Sequence, residues 1–182
     1  MSELAIVFDF ETTGLTLHPS APLDKQPRAI EFGAALISLD DGSVVYEHNV
    51  LIDPGAPITD EITKITGITN ELLAAEGMPF AAALPAIRGL FERATVAVAH
   101  NLPFDRDILR YELARHEVED FPWPAREFCT VGAHRAEWGR NPRLTELYER
   151  IMGRPLAQTH RAVEDVRALV EVIQKDELWR VM

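Results

Sequence analysis

Residues Leu4–Leu15, LAIVFDFETTGL, begin apolar and end acidic. Leu4 to Phe8 is a short run of β-formers, which predicts a buried strand. The run meets Asp9 and Glu11, and then Thr12, Thr13 and Gly14. Residues two apart on a strand point to one face. Both carboxylates therefore crowd one side of a sheet at the strand's C-terminal end. Burial and mutual repulsion disfavour their charged forms. A hard divalent cation such as Mg²⁺ relieves that cost, because it takes carboxylate oxygens as ligands. The alternative is a strand that runs out into a polar turn, since acidic loops after strands are common. This stretch alone leaves both readings open.

The totals bound the rest. A chain of 182 residues suits one domain, residues 1–182, with a single substantial core. Its 47% hydrophobic and 26% charged residues are those of a soluble globular protein. The lone cysteine, Cys129, excludes an internal disulfide framework and fits a reducing cytoplasm. No signal-peptide pattern and no run of roughly 20 apolar residues is present, so the expected location is cytoplasmic, away from membranes. The net charge of −11 argues against a protein that coats long nucleic acid by electrostatics. It leaves room for nucleic acid held locally through metal ions, which reverse the local field. Between His134 and Arg161 lie Arg135, Arg140, Arg143, Arg150, Arg154 and Arg161, against Glu137, Glu146 and Glu149. Arginine forks suit phosphate, but the simpler reading of most of this run is a solvated helical surface with i,i+4 pairs.

Along the chain, Thr16 to Pro27 reads as a proline-rich loop. Ala29 to Leu39 predicts a second strand, interrupted by Glu31 and Gly33. Asp40, Asp41 and Gly42 signal a hairpin, and Ser43 to Ile52 a third strand. Thr59 or Asp60, and Thr69 or Asn70, could cap two short helices. Phe80 to Glu92 spaces Leu84, Ile87, Leu90 and Phe91 for one buried helical face. Thr95 to Ala99 predicts a short buried strand, followed by His100–Asp105 (HNLPFD) and a helix from about Arg106 to His116. Glu127 to Thr130 predicts a last strand. Val131–Trp138, Leu144–Met152 and Arg161–Ile173 predict helices, with Gly153 stopping the middle one. An antiparallel meander of three strands, followed by strands alternating with helices, points to one mixed α/β sheet flanked by helices.

Beyond Asp9 and Glu11, two further acids stand at element ends. Asp105 follows an apolar strand near the start of a helix, where a carboxylate also serves as a cap or dipole partner. His160 and Asp165 lie in HRAVED. On one uniform helix their five-residue gap spans about 500°, about 140° past a full turn, so they would not share a face. If His160 lies in the preceding loop, its ring can fold toward the same site as Asp165.

Taken together, FDFETTGL, AHNLPFD and HRAVED resemble the DEDDh family of 3′→5′ exonucleases, with AIEFGAALI, PGAPITDEITKITGIT and LTELYERIMGRPL as secondary matches. The resemblance runs from about Leu4 to about Ile173, and His160, where related enzymes have tyrosine, places it in the histidine branch. It implies a ribonuclease-H-like fold: a mixed five-stranded sheet, three antiparallel strands and then parallel ones, flanked by helices. It implies two divalent ions, Mg²⁺ or Mn²⁺. Asp9, Glu11 and Asp165 would hold one; Asp9 would contact the second, with Asp105 assisting through water. The scissile phosphate would bridge the pair. His160 would be the general base, and nucleoside 5′-monophosphates would leave from a 3′ end. Thr12 and Leu15 would lie against the terminal nucleotide, with backbone N–H groups near Thr12 reaching its 3′ hydroxyl. His100, Asn101 and Phe104 would line the site, although Phe104 also suits core packing.

The chain departs from the family in two places. The loop Thr16–Pro27 is longer than usual and would hang beside the metal site, and Thr66 stands where many polymerase-associated relatives carry histidine. The implied substrate is single-stranded or frayed DNA in preference to RNA, with a DNA polymerase as a candidate partner. The short stretch Lys175–Met182 after the last helix argues against attachment through a C-terminal tail. Trimming of RNA ends or short oligonucleotides is the alternative. An inactive binding module on the same fold is disfavoured, because all of Asp9, Glu11, Asp105, His160 and Asp165 are present.

Overall fold

The computed structural model describes residues 2–157 and 160–182. The opening run forms β1 (Leu4–Thr12), which pairs antiparallel with β2 (Ala29–Ser38); β2 pairs antiparallel with β3 (Val44–Asp53). This is the expected meander. β1 is longer than its apolar run, because Asp9, Phe10 and Glu11 stay in register opposite Gly33, Phe32 and Glu31, and a register shift comes only between Glu11 and Thr12. Asp9 and Glu11 are therefore held in the ladder, not in a polar turn.

Short helices α1 (Asp60–Thr66) and α2 (Asn70–Glu76) follow. They are capped by Thr59 and Thr69, whose hydroxyls accept from the amides of Ile62 and Leu72. β4 (Met78–Pro79) adds a two-residue parallel pairing beside the end of β3, making six strands where five were expected. Two residues carry no periodicity, which is why the sequence pattern omits it. Then come α3 (Phe80–Arg93), β5 (Val96–Ala99), α4 (Leu102–Arg115), β6 (Arg126–Cys129), α5 (Thr130–Trp138), α6 (Leu144–Met152) and α7 (Ala162–Lys175). The sheet order is β4-β3-β2-β1-β5-β6, with β5 parallel to β1 and β6 parallel to β5. Among the described residues no helix is long and apolar enough to cross a membrane.

Alternation along β1 divides the core. Ile6, Phe8 and Phe10 pack with residues of α3 and α4, whereas Ala5 and Val7 pack with residues of α6 and α7. Asp9 and Glu11 continue the second row, which places them on the α7 side of the sheet.

Two helix starts differ from expectation, and both matter to the site. α4 begins at Leu102, four residues before Arg106, so Asp105 lies inside its first turn. Pro103, which reads as a breaker, is tolerated there because a first-turn amide has no intrahelical partner. Asn101, in the left-handed region at φ 71°, makes the entry turn. α7 begins at Ala162, which leaves His160 in the preceding segment.

The N-terminus of α7 sits directly on β2. A methyl group at Gly33 would come 2.5 Å from the carbonyl carbon of Ala162. Gly33→Ala should therefore push α7 off the sheet at a cost of about 1–3 kcal/mol, the usual price of overpacking. Urea melts should show the loss of stability, and a variant as stable as the parent would refute this contact.

The arginine run behaves mostly as a solvated surface: Arg140 pairs with Glu146, Arg150 with Glu137 and Arg154 with Glu171. The loop Thr16–Pro27 contains a 3₁₀ turn at Leu23–Lys25 and is fixed to α4. Arg115 Nη2 donates to the carbonyl oxygens of Leu23, Gln26 and Pro27, at 2.7–3.0 Å. The Gln26 side chain accepts from the Leu17 amide and donates to the His18 carbonyl.

Candidate active site

Three elements deliver the acids. β1 brings Asp9 and Glu11, α4 brings Asp105, and α7 brings Asp165. One ligand atom each from Glu11, His160 and Asp165 lies within 4.8 Å of the others. His160 reaches them from the segment before α7, with φ in the left-handed region at 48°. The loop alternative read from the sequence is therefore the one the structure adopts. Asp9 lines a cavity of about 250 Å³ together with His100, Arg143, Leu144, His160 and Asp165. Asp105 is buried against β1, where its Oδ1 accepts from the Phe10 amide at 3.1 Å.

The electrostatics are those of an acid cluster short of cations. Burial pushes the Asp9 carboxyl up to about 8, and the charges of Asp165 and Glu31 add to the rise. Burial likewise raises Glu11 to about 9, with Asp9, Asp165 and Glu31 adding and Arg161 opposing. Burial, and then Asp9, hold Asp105 well above the usual carboxylate range, against the pull of the Phe10 amide bond. Acids that resist ionisation this strongly, on converging elements, match the oxygen-rich donor set of a hard divalent ion.

Glu31 organises the α7 end of this cluster. It is fully buried on β2 and accepts from Arg161 Nε at 3.0 Å and Nη2 at 2.7 Å, from the Ala162 amide at 2.9 Å and from Asn49 Nδ2 at 2.9 Å. It ties the segment carrying His160 and the first turn of α7 to the sheet. In the sequence Glu31 reads only as an interruption of an apolar strand. That interruption was the signal, since a buried carboxylate demands partners.

The remaining site residues divide between two places. Thr12, Leu15 and Phe104 line a cleft of about 630 Å³ with Glu11, Ile62, Ile65 and Thr66. Leu15 stands exposed, and the Thr12 hydroxyl donates to the Gly14 carbonyl at 2.7 Å. Phe104 packs on the core and also lines the cleft. The Thr66 hydroxyl donates to the Ile62 carbonyl and accepts from the Ile68 amide. Its hydroxyl is thus taken up by the backbone, beside the apolar side chains of Ile62 and Ile65 in the cleft wall. The loop Thr16–Pro27 borders a second groove of about 330 Å³, which shares Thr13, Gly14 and Leu15 with the cleft. His100 belongs to the Asp9 cavity instead. Burial lowers its ring to about 4, so the ring is neutral at pH 7. Nε2–H then donates to the Pro142 carbonyl at 3.1 Å, and Nδ1 accepts from the Thr130 hydroxyl at 2.9 Å. Asn101 lines neither the cavity nor the cleft; it makes the turn into α4.

Comparison with known proteins gives the family and the fold. The RNase T exonuclease family model matches residues 6–173. The chain is 32% identical over 168 residues to the PolC-type DNA polymerase III of Thermotoga petrophila, covering 92% of this chain and 11% of that protein. It is 30% identical over 173 residues to the DNA polymerase III subunit epsilon of Treponema pallidum, covering 91% of this chain and 72% of that one. The chain thus spans about a tenth of the PolC-type polymerases it resembles. Among solved structures, the nuclease domain of 3′hExo, a DEDDh family member bound to rAMP, shares the fold with a TM-score of 0.77 at 14% identity, over 97% of this chain and 92% of that one. Exonuclease I shares it with a TM-score of 0.77 at 20% identity, over 97% and 41%. With the family model matching nearly the whole of its length, the chain belongs to the RNase T exonuclease family.

Proposed function

We propose that this chain removes nucleotides one at a time from the 3′ end of single-stranded or frayed DNA in the cytoplasm, as a single domain, and that it works beside a DNA polymerase. The observation that carries the reading is the Glu11, His160 and Asp165 cluster, which adjoins the apolar-walled cleft through Glu11. The likeness to PolC-type polymerases and to subunit epsilon supports DNA as substrate and a polymerase as partner.

Asp9, Glu11 and Asp165, with Asp105 assisting through water, are the residues that would hold two ions, Mg²⁺ or Mn²⁺. Such ions, when bound, acidify a water molecule and stabilise charge on the phosphate and the leaving oxygen. The protein's own residues supply the rest. Thr12, Leu15 and Phe104 receive the terminal nucleoside. Leu15 and Ile65 offer exposed apolar surface on which a base can rest. His160 is exposed beside the acids, free to take the proton of the attacking water and pass it to solvent. Water adds at phosphorus, the 3′ oxygen of the penultimate nucleotide leaves, and a nucleoside 5′-monophosphate is released.

A timed digest of matched DNA and RNA oligomers, single- and double-stranded, with Mg²⁺, Mn²⁺ or chelator, tests the whole reading. Single-stranded and frayed DNA should shorten from the 3′ end, metal-dependently and faster than RNA. Faster loss of RNA would favour the RNA-trimming alternative. His160→Ala should lower kcat by about 10²–10⁴-fold, the usual worth of a general base. A variant with unchanged kcat would remove His160 from that role.

A further inference from the structure

Most arginines of this acidic protein are spoken for. Arg88, Arg106, Arg110, Arg115, Arg126, Arg140, Arg150, Arg154, Arg161, Arg167 and Arg180 all pair with carboxylates. Among the described residues Arg28, Arg93, Arg135 and Arg143 do not, and of these Arg93 lies over the Tyr46 ring. Arg143 differs from the others in its position. It lines the cavity that also holds Asp9, His160 and Asp165, yet it makes no ion pair with either acid. A guanidinium beside carboxylates normally closes on them. Here it is kept back.

The backbone explains the restraint. Pro142 is buried, and its carbonyl accepts from the His100 ring, which is itself held by Thr130. The Arg143 amide donates to Glu146 Oε2 at 2.8 Å, capping α6. Both bonds fix the one peptide plane between Pro142 and Arg143, and the exposed Arg143 side chain beyond it closes no ion pair. The cavity is thus lined both by acids and by an arginine. A phosphodiester seated between them meets that pattern, because its negative oxygens accept the two parallel N–H bonds a guanidinium offers.

We infer that Arg143 is a substrate-contacting residue that grips the scissile phosphate, and that His100, through the Pro142 carbonyl, is its positioning residue. The inference rests on the function proposed above. It gives the HNLPFD histidine a role in aiming a cation instead of touching the nucleotide. It also separates Arg143 from the surface pairs formed by its neighbours in the arginine run.

The test compares Arg143→Ala and Arg143→Lys with the parent, using a DNA oligomer as substrate and dTMP and thymidine as inhibitors, with Mn²⁺. Arg143→Ala should melt with the parent, since its capping bond is made by the backbone. Its kcat/KM should fall about tenfold to a hundredfold, the range for one charge-assisted contact. Inhibition by dTMP, which carries the phosphate, should weaken about as much, whereas inhibition by thymidine should not change. Lysine should restore part of the loss, as a point charge without the fork. If the parent digests DNA and the alanine variant matches it, or if dTMP inhibition is unchanged while digestion falls, the assignment is wrong. If the parent does not digest DNA with either metal, the functional reading itself falls.

Discussion

Asp9→Asn is expected to abolish metal-dependent nucleotide release while making the metal-free protein more stable at alkaline pH. Loss of one of the proposed carboxylate ligands would remove several kcal/mol of charge stabilisation from the reaction. At 1.36 kcal/mol per decade that amounts to about 10³-fold or more in kcat. The stability effect has the opposite sign and follows from proton linkage. Asp9 titrates near 8 in the folded chain against an ordinary 3.8, and Glu11 near 9 against 4.5. The folded state therefore holds protons that the unfolded state has already released. Stability from these groups is fully present below about pH 4 and is lost as pH rises through about 8 to 9. Asparagine at position 9 resembles the protonated acid and carries no charge to repel. Thermal melts in chelator should show the variant pulling ahead of the parent as pH rises from about 4, with the gap levelling above about 8. Added Mn²⁺ should raise the parent's midpoint more than the variant's, since binding to the folded state stabilises it. A variant that still releases nucleotides at the parental rate, or whose advantage shrinks with rising pH, would overturn the metal-site assignment.

Glu31→Ala should be the most destabilising single change at the site. Donors from Arg161, Ala162 and Asn49 converge on this one fully buried carboxylate. Removing it leaves the Arg161 cation and a buried amide without their acceptor. Breaking a buried pair in this way costs about 3–5 kcal/mol, a fall of order 10 °C in midpoint for a chain of this size. An effect of opposite sign exists, because Glu31 adds repulsion to Asp9 and Glu11. It is the smaller effect, since Glu31 comes last among the raising charges on both groups while its own hydrogen bonds are direct. Activity should fall with stability, because the segment bearing His160 and the first turn of α7 lose their anchor. Glu31→Gln keeps the volume and one acceptor, and should recover part of both. Parental melting of the alanine variant would show that the clamp contributes nothing.

The two residues show where local reading stops. Asp9 stands out in the sequence because two acids follow an apolar strand, a pattern visible within a dozen residues. Glu31 also interrupts an apolar strand, but its partners lie far along the chain, at Arg161 and Ala162. Nothing near Glu31 announces them. The same holds for Arg143, which in sequence is one member of a basic run. Its neighbours Arg140 and Arg150 found carboxylates on the surface, whereas Arg143 lines the cavity that holds Asp9 and Asp165, next to a Pro142 carbonyl bonded to His100. His160 was ambiguous for a related reason. Its distance from Asp165 excludes a shared helical face, so its place in the site depended on where α7 begins. Gly33 helps to decide that, by admitting the Ala162 backbone against the sheet.

The sequence by itself determined the kinds of element and which faces are apolar, the acid-bearing ends of β1, α4 and α7, and the family. Those follow from periodicity, capping and short-range motif, all of which act over a few residues. Only the tertiary structure decided that Asp9 and Glu11 remain in the ladder, that His160 stands outside α7, and that Arg161 pairs with Glu31. It also decided which guanidinium is left beside the acids. These outcomes depend on strand register and helix seating, which are fixed by packing between residues distant in the chain and leave no mark in any local pattern.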